Sequence, residues 1–220
     1  MRTTDFPNVY NKNNLNLIQF DKGDTPGLIA LSASVGWDYD EYEIGTVMTS
    51  GKIFGHKNGK GEIVSSSAII PYDNKLASIG MVIVNKEYRG LGLGKDATQK
   101  SIDSVSPDSS IMLIATEEGQ PLYEKMGFRT VGHVQKFLCD NYVTPKSLKP
   151  NGVTIVDYDE NDFSEVLNLD KAAFGDIRSN FLHHRIHQSK QCLVAKDNKG
   201  TIVGYGISIL GSVNSKSQVC

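Results

Sequence analysis

The chain has 220 residues, 39% of them hydrophobic, and a formal net charge of −2. Its length allows one large domain, or one and a half smaller ones, around an ordinary hydrophobic core. The near-neutral charge and the lack of a basic block argue against nucleic acid or an anionic membrane as the main partner. Without a long apolar run or a signal-peptide core, the sequence favours a cytoplasmic protein.

The first part of the chain carries the patterns of a strand, two helices and a hairpin. Asp24 and Pro26 form a helix cap and first-turn pair, which starts the first helix. Asn58-Gly59 favours the positive φ angles of a hairpin turn. The predicted elements are a strand at 16–20, helices at 24–35 and 41–49, and hairpin strands at 52–56 and 63–70.

A glycine-rich loop follows the next predicted strand, residues 79–84. It reads Arg89-Gly90-Leu91-Gly92-Leu93-Gly94-Lys95 and opens a helix predicted over residues 93–105. Glycines let backbone N–H groups turn inward, and the helix start adds the positive end of its dipole. Arg89 supplies a charge-assisted donor beside them. The pattern therefore predicts a phosphate-binding loop.

Two other phosphate loops compete with this interpretation. A P-loop requires Gly-Lys followed by Ser or Thr, whereas Asp96 follows Gly94-Lys95 here. A dinucleotide fingerprint is matched by Gly92, Gly94 and Ala97, with Glu117 after the next strand. Its glycines should stand at the strand end, but a polar segment, residues 85–89, comes between. The dinucleotide alternative therefore remains open but weaker.

A second motif follows the next predicted strand, residues 111–115. It reads Leu122-Tyr123-Glu124-Lys125-Met126-Gly127-Phe128. Together, Arg89-x-x-Gly92-x-Gly94 and this motif resemble the two signatures of the GNAT superfamily of N-acetyltransferases, in the right order, over about residues 15–139. The resemblance implies an α+β fold with a mixed sheet.

The resemblance also implies a cofactor and a site. The co-substrate would be acetyl-CoA, no metal would be needed, and Tyr123 would protonate the departing CoA thiolate. The acceptor would be a primary amine of a small molecule or peptide. The backbone of the strand end would pair with the pantetheine arm and the loop would take the pyrophosphate; these positions are Val82, Ile83, Val84, Arg89, Gly90, Leu91, Gly92, Leu93, Gly94 and Lys95. Alternatives are a non-catalytic acyl-CoA sensor and, less favoured, a dinucleotide-binding oxidoreductase domain. A homodimer stays open.

Some positions depart from the family pattern or extend it. Many relatives carry a glutamate base near position 111, but residues 111–115 have no ionisable side chain. Thr116 stands where relatives often place an asparagine that holds the cofactor arm. Trp37, Asp38 and Asp40 lie between the first two helices, a usual rim of the acceptor cleft, where acids would attract a cationic amine.

The chain also contains an internal repeat. Residues 17–38 align without a gap with residues 155–176, pairing Asp21 with Asp159 and Asp38 with Asp176. The second copy is expected to have a strand at 153–157, a helix after Asp162, a helix at 176–187 and a hairpin at 192–196 and 202–209. The predicted organisation is a GNAT domain at 1–143, a linker at 144–152 and, at 153–220, a partial GNAT-like repeat without the pyrophosphate loop.

Histidines and cysteines give no metal pattern in the sequence. His183 and His187 share a helix face, but no third ligand has a recognisable spacing. The cysteines at 139, 192 and 220 are odd in number and widely spaced, without a C-x-x-C pair. The sequence therefore predicts neither a disulfide framework nor a metal site.

Overall fold

The structure is a computed structural model, and it describes residues 12–135 and 152–209. The described residues form two compact units. The first contains residues 12–71 and 77–133, and the second contains 72–76, 134–135 and 152–209. The predicted linker at 144–152 lies outside the described residues apart from Gly152. None of the helices in the described part of the chain has the length and apolar character needed to cross a bilayer.

The first unit is a five-stranded sheet with helices, in strand order β1-β2-β3-β4-β5. The pairs β1–β2, β2–β3 and β3–β4 are antiparallel. The predicted elements are found with small shifts at their ends, which confirms the mixed α and β fold class. In chain order the elements are β1 (Asn16–Gln19), α1 (Thr25–Ser34), α2 (Glu41–Ser50), β2 (Lys52–Lys57), β3 (Ile63–Pro71), β4 (Leu76–Val84), α3 (Leu93–Ile102), β5 (Ser110–Leu113) and α4 (Gln120–Lys125).

Both faces of the first sheet are buried. Ile53 packs in a core with residues of α1 and α2, including Leu28 and Ile44. The next residue, Phe54, packs in a second core with Ile102 of α3. Since successive strand residues point to opposite faces, the helices cover the sheet from two sides. This double cover holds β3 and β4 in place, and the glycine loop follows β4.

The start of α1 has Asp24 at the cap and Pro26 in the first turn, as predicted. Asp24 is the N-cap residue, but its side chain makes no capping bond to α1. Its carboxylate instead accepts a hydrogen bond from the Asp21 N–H at 3.1 Å and pairs with the Lys57 ammonium at 2.5 Å. The predicted cap position is therefore confirmed, and the Asp24 carboxylate serves the preceding 3-10 turn (Lys22–Asp24) and β2 rather than α1.

The second unit contains a three-stranded sheet with order β6-β7-β8. Its predicted elements are present, but α6 starts at Ser179, three residues later than expected. Asp176 lies outside that helix and accepts backbone hydrogen bonds from Lys75, Leu76 and Ile177. The elements of this unit are β6 (Val153–Asp157), α5 (Phe163–Phe174), α6 (Ser179–His187), β7 (Gln191–Asp197) and β8 (Ile202–Ser208).

The repeat is preserved in three-dimensional detail. Asp159 and Asp162 form the same reciprocal capping box around a 3-10 turn as Asp21 and Asp24. Lys196 pairs with Asp162 at 2.7 Å, as Lys57 does with Asp24. The register shift of β2 against β3 at His56/Lys57 has its counterpart in the second hairpin at Ala195/Lys196. Such matched irregularities support a duplicated structural unit.

Candidate active site

The glycine loop is held by the short turn that precedes it. Asn85 caps a 3-10 turn (Lys86–Tyr88), with its side-chain oxygen accepting from the Glu87 N–H at 3.0 Å. Tyr88 is buried, and its hydroxyl accepts a hydrogen bond from the Asn58 amide at 3.0 Å. The turn therefore anchors the chain between β4 and the loop. It lies in the polar segment, residues 85–89, that separates the strand from the glycines and so weakens the dinucleotide alternative.

The loop glycines have distinct physical requirements. Gly90 and Gly92 have φ angles of 83° and 78°, which L residues with a Cβ rarely adopt. Gly92 is the N-cap of α3. A Cβ on Gly94 would lie 3.3 Å from Val84 Cγ2, so this glycine lets α3 pack closely on β4. The loop thus leads into a helix start, where the first backbone N–H groups have no partner within the helix, as a phosphate site requires.

A lysine outside both sequence motifs stands beside this loop. The Lys12 ammonium lies 2.5 Å from a carboxylate oxygen of Asp96, in the first turn of α3. The same ammonium is 3.9 Å from where a Cβ on Gly92 would be. It offsets the negative charge that Asp96 brings to the predicted phosphate loop. Lys12 was not among the predicted site residues, since nothing in its local sequence indicates a contact with a helix about eighty residues away.

A buried histidine lies under the start of α3. His56 on β2 is 3% exposed; its Nδ1 is 2.7 Å from Ser65 Oγ, and its Nε2 is 4.0 Å from Asp96 Oδ2. Burial lowers the pKa of His56, and nearby Lys12 adds to this, while Asp96 opposes it. The imidazole is therefore predominantly neutral at neutral pH and serves as a hydrogen-bonding support below the loop.

The strand before the loop is interrupted by a bulge. Among the described residues, Met81 is the one non-glycine residue with a positive φ, 50°. Around it the β3–β4 register shifts between Ser66 and Ala68, so two residues of β4 face one of β3. The buried Ser66 hydroxyl donates to the Met81 carbonyl at 2.7 Å. This bond stabilises a strained backbone directly before Val82, Ile83 and Val84, the predicted cofactor-arm positions.

Tyr123 is positioned by the way α4 ends. Gly127 has a φ of 95°, and the Phe128 N–H donates to the Tyr123 carbonyl at 3.0 Å, closing the helix. The Phe128 ring then packs edge-on against Tyr123, with centroids 6.0 Å apart. Gly119 leaves room for the tyrosine, because a Cβ there would lie 3.2 Å from the ring. Tyr123 is 8% exposed, and burial raises the pKa of its hydroxyl. The phenol therefore keeps its proton at neutral pH.

Thr116 and the acceptor candidates have local structural roles. The Thr116 hydroxyl accepts from the Gly119 N–H at 3.2 Å and helps to start α4. Asp40 is the N-cap of α2 and accepts from the Glu43 N–H at 2.9 Å. Trp37 is 38% exposed, with its ring centroid 6.0 Å from that of Tyr39, and Asp38 is exposed. Binding roles for Thr116, Trp37, Asp38 and Asp40 stay predictions.

A cavity of about 1,020 Å³ lies elsewhere in the first unit. It is lined by the hairpin turn at 58–64, by α1 residues and by Asn85, Glu87 and Tyr88. None of the predicted cofactor positions contributes to its wall. We therefore assign the candidate site to the start of α3, the bulge at Met81 and Tyr123 rather than to this cavity. The chemistry of these three features suits a thioester that carries phosphate groups.

Comparison with known proteins points in the same direction. Two family models described as acetyltransferase (GNAT) domains match residues 43–138 and 166–216. Uncharacterized N-acetyltransferase YitH of Bacillus subtilis (strain 168) is 38% identical over 201 residues, which cover 91% of this chain and 70% of the relative. The second family match falls on the repeated unit.

Solved structures show the same fold. A crystal structure from Pyrococcus horikoshii, whose description names an acetyltransferase, superposes with a TM-score of 0.66 at 20% identity, covering 94% of this chain and 72% of that chain. A glucosamine N-acetyltransferase region of a fungal multi-domain β-N-acetylglucosaminidase gives a TM-score of 0.58 at 15% identity. That match covers 88% of this chain and 27% of the fungal chain.

Proposed function

Because the chain belongs to the GNAT acetyltransferase family, we propose that it transfers the acetyl group of acetyl-CoA to a primary amine of a small molecule or peptide. The observation that carries the proposal is the loop at Gly90 and Gly92. Its positive φ angles turn the chain into the start of α3, beside the cations Arg89 and Lys12. A helix start with flanking cations suits a pyrophosphate.

The reaction needs acetyl-CoA to be held, its carbonyl to be polarised, the departing thiolate to be protonated and the amine to be deprotonated. The thioester supplies an electrophilic acetyl carbon, and the amine nitrogen forms a bond to that carbon while the C–S bond breaks. The loop would hold the pyrophosphate through Arg89 and backbone N–H groups. The backbone after the Met81 bulge would pair with the pantetheine arm and polarise the carbonyl. Tyr123 would give its proton to the thiolate, and water or a basic side chain would take the amine proton.

The thermal shift of the purified chain with acetyl-CoA and with NAD tests the binding half of the proposal. A ligand that binds only the folded state raises Tm by mass action. We expect a rise with acetyl-CoA and none with NAD. A rise with NAD alone would instead support the dinucleotide alternative.

Turnover is tested by measuring CoA release chromatographically across a panel of amines and peptides. We expect release with at least one amine and coupled appearance of an acetylated product. Acetyl-CoA binding without release from any member of a broad panel would favour the acyl-CoA sensor.

A further inference from the structure

Three side chains of the second unit converge at the end of α6. His183 and His187 lie one turn apart in this helix. Glu160 lies in the 3-10 turn (Glu160–Asp162) that precedes α5. One potential ligand atom from each residue lies within 4.8 Å of those of the other two. The sequence pattern provided two histidines, and the fold supplies a carboxylate as the third group.

Hydrogen bonds orient two of the three groups. His187 Nδ1 is 2.9 Å from the His183 carbonyl, and since a carbonyl can only accept, Nδ1 carries the proton. The Nε2 lone pair of His187 is therefore available, and this atom lies 3.6 Å from Glu160 Oε1. Tyr158 donates its hydroxyl to the other Glu160 oxygen at 3.4 Å. Outer hydrogen bonds of this kind orient metal ligands in proteins.

The third group is placed by aromatic packing. The His183 ring packs edge-on against Phe163 with centroids 5.6 Å apart, and lies beside the His187 ring at 4.0 Å. All three ligand residues are exposed, so their side chains can rotate and water can complete the coordination.

We propose that Glu160, His183 and His187 form a site for a divalent transition metal, with Zn²⁺ as the best-matched ion. Ligands at about 2.0–2.1 Å in a tetrahedron lie about 3.3 Å apart, close to the 3.6 Å between His187 and Glu160. Two imidazoles and one carboxylate form a known zinc ligand set that leaves one position for water. Imidazole ligands disfavour Mg²⁺ and Ca²⁺.

The site would act as a clip within the second unit. It would join the turn before α5 to the last turn of α6. A bound ion stabilises the folded state by mass action, which matters most in a unit with a small core. The proposal concerns stability and is independent of acetyl transfer.

Calorimetric titration of tag-free, reduced protein with ZnCl₂ tests the proposal, with MgCl₂ as a parallel titrant. We expect one Zn²⁺ per chain, an increase in Tm with Zn²⁺, and no response to Mg²⁺. His187→Ala should weaken Zn²⁺ binding at least about tenfold and remove the Tm increase. His184→Ala, on the same helix but outside the cluster, is the matched control and should bind as the wild type does.

Two further results bear on the proposal. Co²⁺ bound to the wild type should give the intense visible absorption of a tetrahedral site, and Glu160→Gln should reduce that absorption. No Zn²⁺ binding up to millimolar concentration, or equal weakening in His184→Ala and His187→Ala, would overturn the proposal. Circular dichroism of each variant confirms that the fold is retained.

Discussion

The two units share the same arrangement of strands and helices, but they differ in what packs on the outer face of the hairpin. Ile63 and its repeat counterpart Ile202 are both buried, at 9% and 5% exposure, under the helices of their own unit. The next residues diverge, since Val64 is 2% exposed and Val203 is 49% exposed. Val64 packs with Tyr88 and Leu93, which belong to the loop turn and α3. Among the described residues the second unit has no counterpart of that segment.

This difference shows that one segment serves both stability and ligand binding. The stretch from Asn85 to Leu93 covers Val64 on one face of the first sheet and also contains the loop that leads into α3. Over the residues that the structure describes, the second unit has no such segment but keeps its capping box, its lysine–aspartate pair and one buried face. We therefore expect a single cofactor per chain, bound by the first unit.

The largest effect is expected from the loop. Arg89→Ala with Gly92→Ala should weaken acetyl-CoA binding at least about a hundredfold, because it removes a charge-assisted donor and strains a left-handed position. Gly200→Ala, at a similar positive φ of 81° but in the second unit, is the matched control. Calorimetry should give one cofactor per wild-type chain. Two cofactors per chain would contradict the expectation that the first unit alone binds acetyl-CoA.

Tyr123→Phe should lower turnover by about a hundredfold and leave acetyl-CoA affinity near that of the wild type. Because burial raises the pKa of Tyr123, the acid stays protonated until the pH exceeds the usual tyrosine range, and wild-type kcat should fall only beyond it. Tyr205→Phe in the second unit, which loses a 2.6 Å bond to Asp170, should affect stability only. An unchanged kcat in Tyr123→Phe would contradict the assigned role.

Ser66→Ala should reduce kcat by about tenfold, since it removes the hydroxyl bond to the strained Met81 carbonyl and lets the bulge relax. Ser67→Ala is a close control, because that buried hydroxyl bonds to Ser101 at 2.9 Å instead. Steady-state kinetics and thermal melts separate the two effects. Equal kcat in both variants would show that the bulge does not need Ser66.

Val64→Ala and Val203→Ala test directly whether the two matching valines differ in burial. The first should cost about 2 kcal/mol of unfolding free energy, because it removes buried apolar surface and leaves a cavity. The second should cost less than about 0.5 kcal/mol at an exposed position. Denaturant unfolding measures both. Similar losses would mean that Val203 is covered in solution.

Replacement of Asp176 should have the smallest effect on stability and the one that depends most on pH. Burial alone would raise the pKa of Asp176, but hydrogen bonds from the Leu76, Ile177 and Lys75 N–H groups and the Asn74 amide outweigh this and lower it to about 2. Its stabilising contribution is therefore complete above the usual aspartate range and is lost as the pH falls through about 2.

Asp176→Asn should accordingly melt at a lower temperature than the wild type at neutral pH, and the two curves should converge in acid. Asp38→Asn, at the same repeat position but exposed, should melt near the wild type. A gap between Asp176→Asn and wild type that persists below pH 2 would show that the carboxylate charge is not responsible.

The local sequence was sufficient for the elements, the repeat and the loop. Alternating apolar residues, Pro26 and the glycine series each determine backbone behaviour within a few residues, so they could be interpreted without a fold. The positive φ angles predicted for Asn58-Gly59 were wrong, because the hairpin turn has its positive φ, 81°, at Gly61 instead. The resemblance of two ordered motifs then identified the family. The position of β6 (Val153–Asp157) was predicted to the residue.

Only the tertiary structure decided which distant side chains meet. Ser66 reaches Met81 across β3 and β4, Lys12 reaches Asp96, and Glu160 comes beside His187. Each pair depends on sheet register or helix packing, which are cooperative properties of the whole unit and leave no periodic signal in the chain. Val64 and Val203 occupy matching positions of the repeat, yet Val64 is buried and Val203 is exposed. For the same reason, this difference in burial could be seen only in the tertiary structure.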